Sequence, residues 1–515
     1  MARFAVGISL FPSAVCVTKP RVSGLVARIL SRSRGKCLVL LVASCLFCSP
    51  FCRAQTDPIS EQGLKPFGSY HGGDIDVVSL MNGKLDLHAP VVSYPQRGGK
   101  LQMGFTLRYN NPLISVTQLC TPLPCQYITT FLPMGVQVLP DFKMALTGYV
   151  ANNKDVTLLQ LVDGSTHELG TLSGTVSETL DGTGYRYDSG SDTATDRQGV
   201  RYTGAGTTGL ISQQDPNGNV ITASSSGWTD SIGRVIPNPP SAGATNTSDY
   251  SNCTGSQPTT GAYNWTIPGL NGGSTTYKFC WAAFSFGFPV PGVYGQNYSG
   301  GATLLQSLVL PNDQAWTFEY DSAGNLSTLT LPTGGTISYT WGTGQMCGNP
   351  SHLTTYFRGI GSRSVNANDG AGAHTWNYAL SGVQIYTTNP GYLNSTVTDP
   401  VGNSSAYYFG ALGPCEFYEI QRIDSDAGSN TVQQILTTYT TSVDENGAQP
   451  GGNQGVNNVL ASEIDTYSYS GTSYHVKGVK KGYDPGFTYG GVWGTGREEE
   501  CTTASQKSKD CCSEG

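Results

Sequence analysis

The stretch TFEYDSAGNLSTLTLPTGGTISYTW, residues 317–341, decides the fold class. Just before and within it, Trp316, Phe318 and Tyr320 alternate with polar residues. Leu329 and Leu331 do the same, and so do Ile337, Tyr339 and Trp341. A period of two marks strands with one buried face. Between the runs, Asp321-Ser-Ala-Gly324-Asn325 offers an Asp side chain to cap a turn and a Gly-Asn pair that tolerates positive φ, and Pro332-Thr-Gly-Gly335 supplies a second reversal. Three short strands folded back twice are predicted. Phe318-x-Tyr320 and Tyr339-x-Trp341 occupy equivalent places one unit apart, so the stretch is also a short internal repeat.

The surrounding chain supports this reading. Its 515 residues exceed what one hydrophobic core usually serves, roughly 250 to 300, so several modules or a repeat array are expected. Charged residues make up only 13%, and 66 Gly with many Ser, Thr, Asn and Tyr take their place, as in a turn-rich extracellular β protein. A formal charge of −7, with no Lys/Arg run after the first fifty-odd residues, gives no general attraction for phosphate backbones, and nucleic-acid binding is disfavoured.

Arg32, Arg34 and Lys36 precede the apolar run Cys37 to Phe51, and Ala54 then offers a small residue before Gln55. Residues 1–54 read as a secretory signal region, with an alternative lipoprotein-type cut before Cys45. The expected location is secreted or cell envelope. No later segment approaches the ~20 apolar residues of a membrane span. The mature body carries Cys120, Cys125, Cys253, Cys280, Cys347 and Cys415, an even set for which disulfides are the expected state in an oxidising compartment. Proximity pairs Cys120 with Cys125, Cys253 with Cys280 and Cys347 with Cys415, although six cysteines allow about fifteen pairings. No CxxC or CxxH spacing points to zinc.

Along the chain, 55–237 reads as a β-rich N-terminal module, 238–262 as a Ser/Thr/Pro/Gly-rich loop or linker, 263–496 as a β-rich repeat region and 497–515 as an atypical tail. No amphipathic helix is predicted beyond the signal. The turn of the opening stretch recurs at Asp215-Pro-Asn-Gly218-Asn219, Asp230-Ser-Ile-Gly233-Arg234 and Asp399-Pro-Val-Gly402-Asn403, with looser copies from Asp181, Asp196, Asp369 and Asp444. One copy is an ordinary hairpin turn; the recurrence is the more specific signal.

Phe318-Glu-Tyr320-Asp321-Ser-Ala-Gly324-Asn325-Leu326, followed by Thr330-Leu-Pro332-Thr-Gly334 and Tyr339-Thr-Trp341, resembles the YD repeat of the bacterial Rhs family. Asp230 to Arg234 and Asp399 to Asn403 match its turn alone. Pro66 to Asp76 and Gly83 to Pro90 are similar to the segment that opens exported YD-repeat proteins. One unit is close to full strength, and Trp341-Gly342 already replaces the next Tyr-Asp. The resemblance implies an all-β fold of hairpin repeats in an extended or shell-like sheet, which in relatives encloses a C-terminal effector, often a toxin. The implied partners are such an effector or a cell-surface protein or glycan.

Chemistry-bearing motifs are sparse. Gly204-Ala-Gly206-Thr-Thr-Gly209 fits GxGxxG, but that fingerprint works only where a strand runs into a helix, and here a Pro-Asn-Gly turn follows. Asp215-x-Asn217-x-Asn219 spaces oxygens like half a calcium loop, without the later Gly and Glu. His71-Gly-Gly-Asp74-Ile-Asp76 is the densest His/carboxylate cluster, and on a strand Asp74 and Asp76 share one face. HExxH, GxSxG and P-loop patterns are absent. No catalytic residue, metal or cofactor is therefore expected, and the expected function is a non-enzymatic scaffold that presents its Gly- and Asn-rich turns outward. A carbohydrate-binding β protein, with exposed Tyr and Trp as stacking surfaces, is the alternative; a secreted glycosidase with two paired carboxylates is the third. After Gly496 the text turns charged and cysteine-bearing without strand pattern, as a disordered tail, a shifted reading frame or the early end of a longer repeat chain does.

Overall fold

The computed structural model describes residues 63–504, apart from 65–67, 99, 110, 120–125, 133–134, 142–143, 152–153, 180–182, 207–210, 225, 270–271, 291–296, 344–352, 357, 383–391, 414–415, 442–458, 484–487, 490–491 and 494–497. The signal region, Cys120, Cys125, Cys347, Cys415 and the turns at Asp181 and Asp444 lie outside the described residues.

Among the described residues the regular structure is antiparallel β, with no α-helix. The opening stretch forms the three predicted strands, Ala315–Tyr320, Leu326–Thr330 and Thr336–Thr343. Phe318 pairs with Leu329 and Leu329 with Ile337, so one row of apolar side chains crosses the three strands. Those residues and Tyr339 are buried, while Trp316, Tyr320, Leu331 and Trp341 pack against them half-buried. The period-2 pattern thus chooses the buried face, and each large side chain removed from water contributes roughly 1.5–3 kcal/mol.

These strands belong to a fifteen-stranded sheet that runs from Thr259–Pro268 to Glu498–Ala504 almost in chain order. Three strands of this span leave it: Leu353–Tyr356 pairs instead with Leu113–Leu119, which pairs with Gln126–Leu132, and Thr488–Tyr489 pairs with Val492–Trp493. An eleven-stranded meander runs in chain order from Ala145–Ala151 to Val235–Pro237. Its later strands are so short that each sends about one residue inward, in the paired row Tyr187, Ala194, Tyr202, Gln213 and Ile221. A five-stranded sheet is made of Tyr70–Gly72, Asp76–Ser79, Leu85–Pro95, Gln102–Tyr109 and Gln137–Pro140.

A single core joins the three sheets. It holds Leu87, Phe105 and Leu107 of the five-stranded sheet, Ile221 and Ile236 of the meander, and Trp265, Phe279, Phe318 and Leu329 of the large sheet. Phe105 meets Trp265 edge-on at 5.1 Å, and the Trp265 indole N–H donates to Pro237 O at 2.9 Å. That bond satisfies the polar end of an otherwise buried ring.

One expectation is refined and one needs correction. Residues 238–262, read as a loop or linker, form a strap followed by the start of the strand Thr259–Pro268. The strap is held by the Cys253–Cys280 disulfide, by Asp249 on Lys278 and by backbone N–H bonds of Thr254 and Gln257 to Ser307 and Gln306. Its composition is loop-like because its hydrogen bonds go to side chains of other segments rather than to a ladder. The tail, read as strandless, carries the strand Glu498–Ala504, whose register against Ser473–Tyr483 sets Glu500 opposite Lys481.

Candidate functional site

At Asp321 the chain reverses through a type I turn: Gly324 N donates to Asp321 O at 3.0 Å, and Asp321 N donates to Asn325 O at 2.8 Å. The fourth residue must be left-handed for this loop to rejoin its ladder, and Gly324 has φ +78°. Asn325 was expected to share the positive φ; it does not. Its side-chain amide instead donates to the Asp321 carboxylate, which also accepts from Ala323 N and Asn325 N. The same pair of backbone bonds closes 215–219, 230–234 and 399–403, with Gly218, Gly233 and Gly402 left-handed, and the looser copy at Asp196 fits as well. The loop at Asp369 differs, placing Asn368, Gly370 and Gly372 all at positive φ. A copy that the sequence reading missed is Asp426-Ala-Gly-Ser429-Asn430, where Ser429 takes the left-handed position at φ +64°. The surviving signal was the Asp and Asn four residues apart.

Most of these turns expose their tips, with Pro216 to Gly218 and Ser231 to Gly233 exposed, while residues at the base of three of them are buried. Asp215, Asn219, Asp230 and Asn325 are buried. Asn219 Nδ2 donates to Arg97 O at 2.6 Å, and Gln96 Nε2 donates to Asp230 Oδ2 at 3.3 Å. Arg234 pairs with Asp230 at 2.7 Å and lies over the Tyr94 ring at 5.0 Å. Tyr109 Oη accepts from Leu326 N at 3.0 Å, beside the 321–325 turn, and Tyr320 Oη accepts from Val136 N and donates to Leu305 O. The N-terminal sheet is therefore seated on repeat turns. The 399–403 turn takes no part and is exposed. Burial opposes the charge of Asp215 and Asp230, yet the bonds from Asn219 and Arg234 outweigh it and hold both carboxyls below the usual range. Burial likewise pushes the Tyr94 phenol up to about 12.

The His71 cluster has a different role from the one its spacing implied. The chain bends between Tyr70–Gly72 and Asp76–Ser79, so Asp74 is exposed while Asp76 is fully buried, and they share no face. Asp76 takes a two-pronged ion pair from Arg363, with both distances 2.6 Å, and a 2.8 Å bond from Tyr339 Oη. Arg363 also lies over Trp376 at 5.5 Å, and His71 Nδ1 meets Tyr378 Oη at 2.8 Å. Burial, then the charges of Arg363 and Arg422, lower the His71 pKa and keep the ring neutral. Burial raises the Tyr339 and Tyr378 phenols. The charges of Asp76 and Arg363 answer each other within the cluster, so the arrangement locks sheet to sheet.

Among the described residues no group of three or more His, Cys, Asp or Glu converges to hold a metal ion. Asp215 spends its carboxylate on Asn217 N, Asn219 N and Asn219 Nδ2, which accounts for the calcium-like spacing as a turn. Gly204 sits in a hairpin, donating to Asp192 O. Of the disulfide candidates, Cys253 and Cys280 are bonded as expected. No helix among the described residues is long and apolar enough to cross a membrane.

The RHS Repeat family matches residues 301–336, which hold the Tyr320-Asp321 turn and the first strands of the opening stretch. No curated protein matches the chain. A solved structure, described as the crystal structure of TcdB2-TccC3 without its hypervariable C-terminal region, is similar at 10% identity with a TM-score of 0.12. The similarity covers 85% of this chain, which spans 24% of that one. The family match falls on the hairpins whose turn chemistry recurs along the sheet, so the large sheet contains an RHS repeat at 301–336.

Proposed function

We propose that the chain is an exported YD-repeat scaffold whose sheet encloses or displays an effector encoded C-terminal to it, and that it contributes no catalytic group of its own. The observation that carries this reading is where burial stops. Up to Phe409 the inward face of the large sheet is covered; beyond it, the described residues include no buried side chain. The face itself continues, through the paired row Tyr407, Arg422, Ile435, Thr466 and Lys477. A paired sheet with an uncovered inner face has room to take more protein against it. The Cys253–Cys280 disulfide supports an oxidising destination.

The test begins with the nucleotide sequence through and beyond the codon for Arg497, followed by co-expression of this chain with whatever that sequence encodes. The scaffold reading expects further Tyr-Asp units and a downstream segment that resists protease only when this chain is intact. Equal cleavage with and without the chain would refute enclosure.

A further inference from the structure

The large sheet begins at the strand Thr259–Pro268, which pairs with Ser274–Pro289 on one side only and so forms its edge. Ala262 and Asn264 turn their backbone groups away from that partner and toward the strap, and by the alternation of an antiparallel pair Thr266 turns its own the same way. A row of outward N–H and C=O groups is a template for another strand, and folded proteins blunt it with charge, proline, a bulge or a cover. This strand, TTGAYNWTIP, has no charged residue. It has a register shift between Thr259 and Gly261 at one end and Pro268, which lacks an N–H, at the other.

Between those ends the strap supplies the cover. The Asn246 side chain acts as a mock peptide group: its Oδ1 accepts from Asn264 N at 2.7 Å, and its Nδ2 donates to Asn264 O at 3.0 Å. Asn246 N and Thr247 N both donate to Ala262 O, at 3.1 and 3.4 Å, and Thr247 forms an isolated antiparallel bridge with Ala262. Gly261 permits this approach, since a Cβ there would stand 2.6 Å from Thr245 Cγ2. The cover is held by the Trp281 indole N–H on Ala244 O at 2.8 Å, by Lys278 on Asp249 at 2.6 Å and by the Cys253–Cys280 bond. Of these the last is covalent, and its Cys280 sits directly opposite Ala262 on the neighbouring strand.

We infer that the strap is a redox-closed cap on this edge, and that the uncapped edge pairs with the same edge of a second copy of this chain. Two copies related by a two-fold axis bring the strand against itself antiparallel, so the backbone groups that Asn246 satisfies in one copy are satisfied by their equivalents in the other. A strand without charge meets no repulsion from its own copy. In closing, the thiols of Cys253 and Cys280 become one Sγ–Sγ bond, and their two electrons and two protons pass to a disulfide oxidant that leaves as two thiols; a dithiol reverses the exchange. Reduced chains thus meet edge to edge, and oxidised chains stay apart at this edge.

The test is sedimentation velocity over a range of concentrations, comparing the oxidised full chain with its Cys253→Ala, Cys280→Ala variant in dithiothreitol, which excludes sulfur links between copies. The variant is expected to self-associate at least tenfold more tightly. Adding Thr266→Lys, which sets a cation at an exposed position of the edge strand, should reverse that gain. A variant no more associated than the oxidised chain overturns the proposal, as does association that Thr266→Lys leaves intact. Asn246→Ala keeps the disulfide, so it folds even where the cysteine variant does not, and it isolates the cap. Its Asn264 amide should exchange hydrogen at least tenfold faster than in the unaltered chain, and unchanged exchange refutes the cap. None of these outcomes depends on a downstream effector, so this inference and the scaffold reading fail separately.

Discussion

Gly324 meets two demands at once. Its φ of +78° disfavours any side chain, and a Cβ there would stand 3.0 Å from Phe131 Cζ, whereas a Cβ on Gly218, at φ +84°, would meet nothing within 4 Å. Gly218→Val should therefore cost only the left-handed penalty, about 1–2 kcal/mol, and Gly324→Val should add overpacking for a total of roughly 2–4 kcal/mol. Urea unfolding of both variants measures the difference, and equal losses would show that the 321–325 turn is not seated as described. The aspartates heading the turns set a pH dependence. Burial opposes the charge of Asp215, Asp230 and Asp399, but bonds from Asn219, Arg234 and Asn403 prevail, and at Asp426 the Asn430 bond leads; all four folded pKa values lie below the usual one. Their stabilisation is thus complete above the unfolded value, about 4, and lost as pH falls through the folded values. The urea midpoint should drop between pH 5 and pH 2.5, and drop less in an Asp215→Asn, Asp230→Asn double variant; an equal drop would remove these turns from acid unfolding. The Asp-to-Asn spacing was legible in the sequence because it is local. Which turns have a buried base was not, since Arg97 and Gln96, which bond to Asn219 and Asp230, lie more than a hundred residues away.

Strands were legible wherever one face is buried and the alternation is therefore enforced, as in Ala315–Tyr320, Leu326–Thr330 and Thr336–Thr343. Two elements escaped for a common reason. The departure of Leu353–Tyr356 to Leu113–Leu119 and the course of the strap across the large sheet are both set by contacts with distant segments, and a local window carries no trace of them. The disulfide was the exception, because its cysteines are only 27 residues apart. Closing a loop of that size is worth about 3–4 kcal/mol on the chain-entropy account. Reduction under native conditions should release the strap: protease should then cut within 241–258 well before the large sheet, and the urea midpoint should fall. Cleavage at the same rate in the oxidised and reduced protein would mean that the hydrogen bonds to Ser307, Gln306 and Glu319 hold the strap without the sulfur bridge.

Across the whole molecule, the question is whether the N-terminal sheet and the repeat sheet fold as one body. Asp76 and Arg363 are 287 residues apart, and their ion pair lies in the same seam as the shared core of Leu87, Phe105, Phe318 and Leu329. Such a pair is weak evidence for net stability, because desolvation offsets most of its attraction, but removing one partner strands a buried charge at a cost of about 3–5 kcal/mol. Arg363→Leu should therefore destabilise by about that amount. Adding Asp76→Leu should recover most of the loss, short of about 1–3 kcal/mol for the Tyr339 hydroxyl left without its acceptor. Tyr339→Phe on that background should then recover much of the remainder. If the core is one cooperative unit, each variant shifts a single urea transition seen alike by tryptophan fluorescence and far-UV dichroism. Separation of the Arg363→Leu protein into two transitions would instead make the N-terminal sheet an independent domain resting on the repeats. In that case the buried bases of the turns at 215–219 and 230–234 would be contacts between two bodies rather than the interior of one.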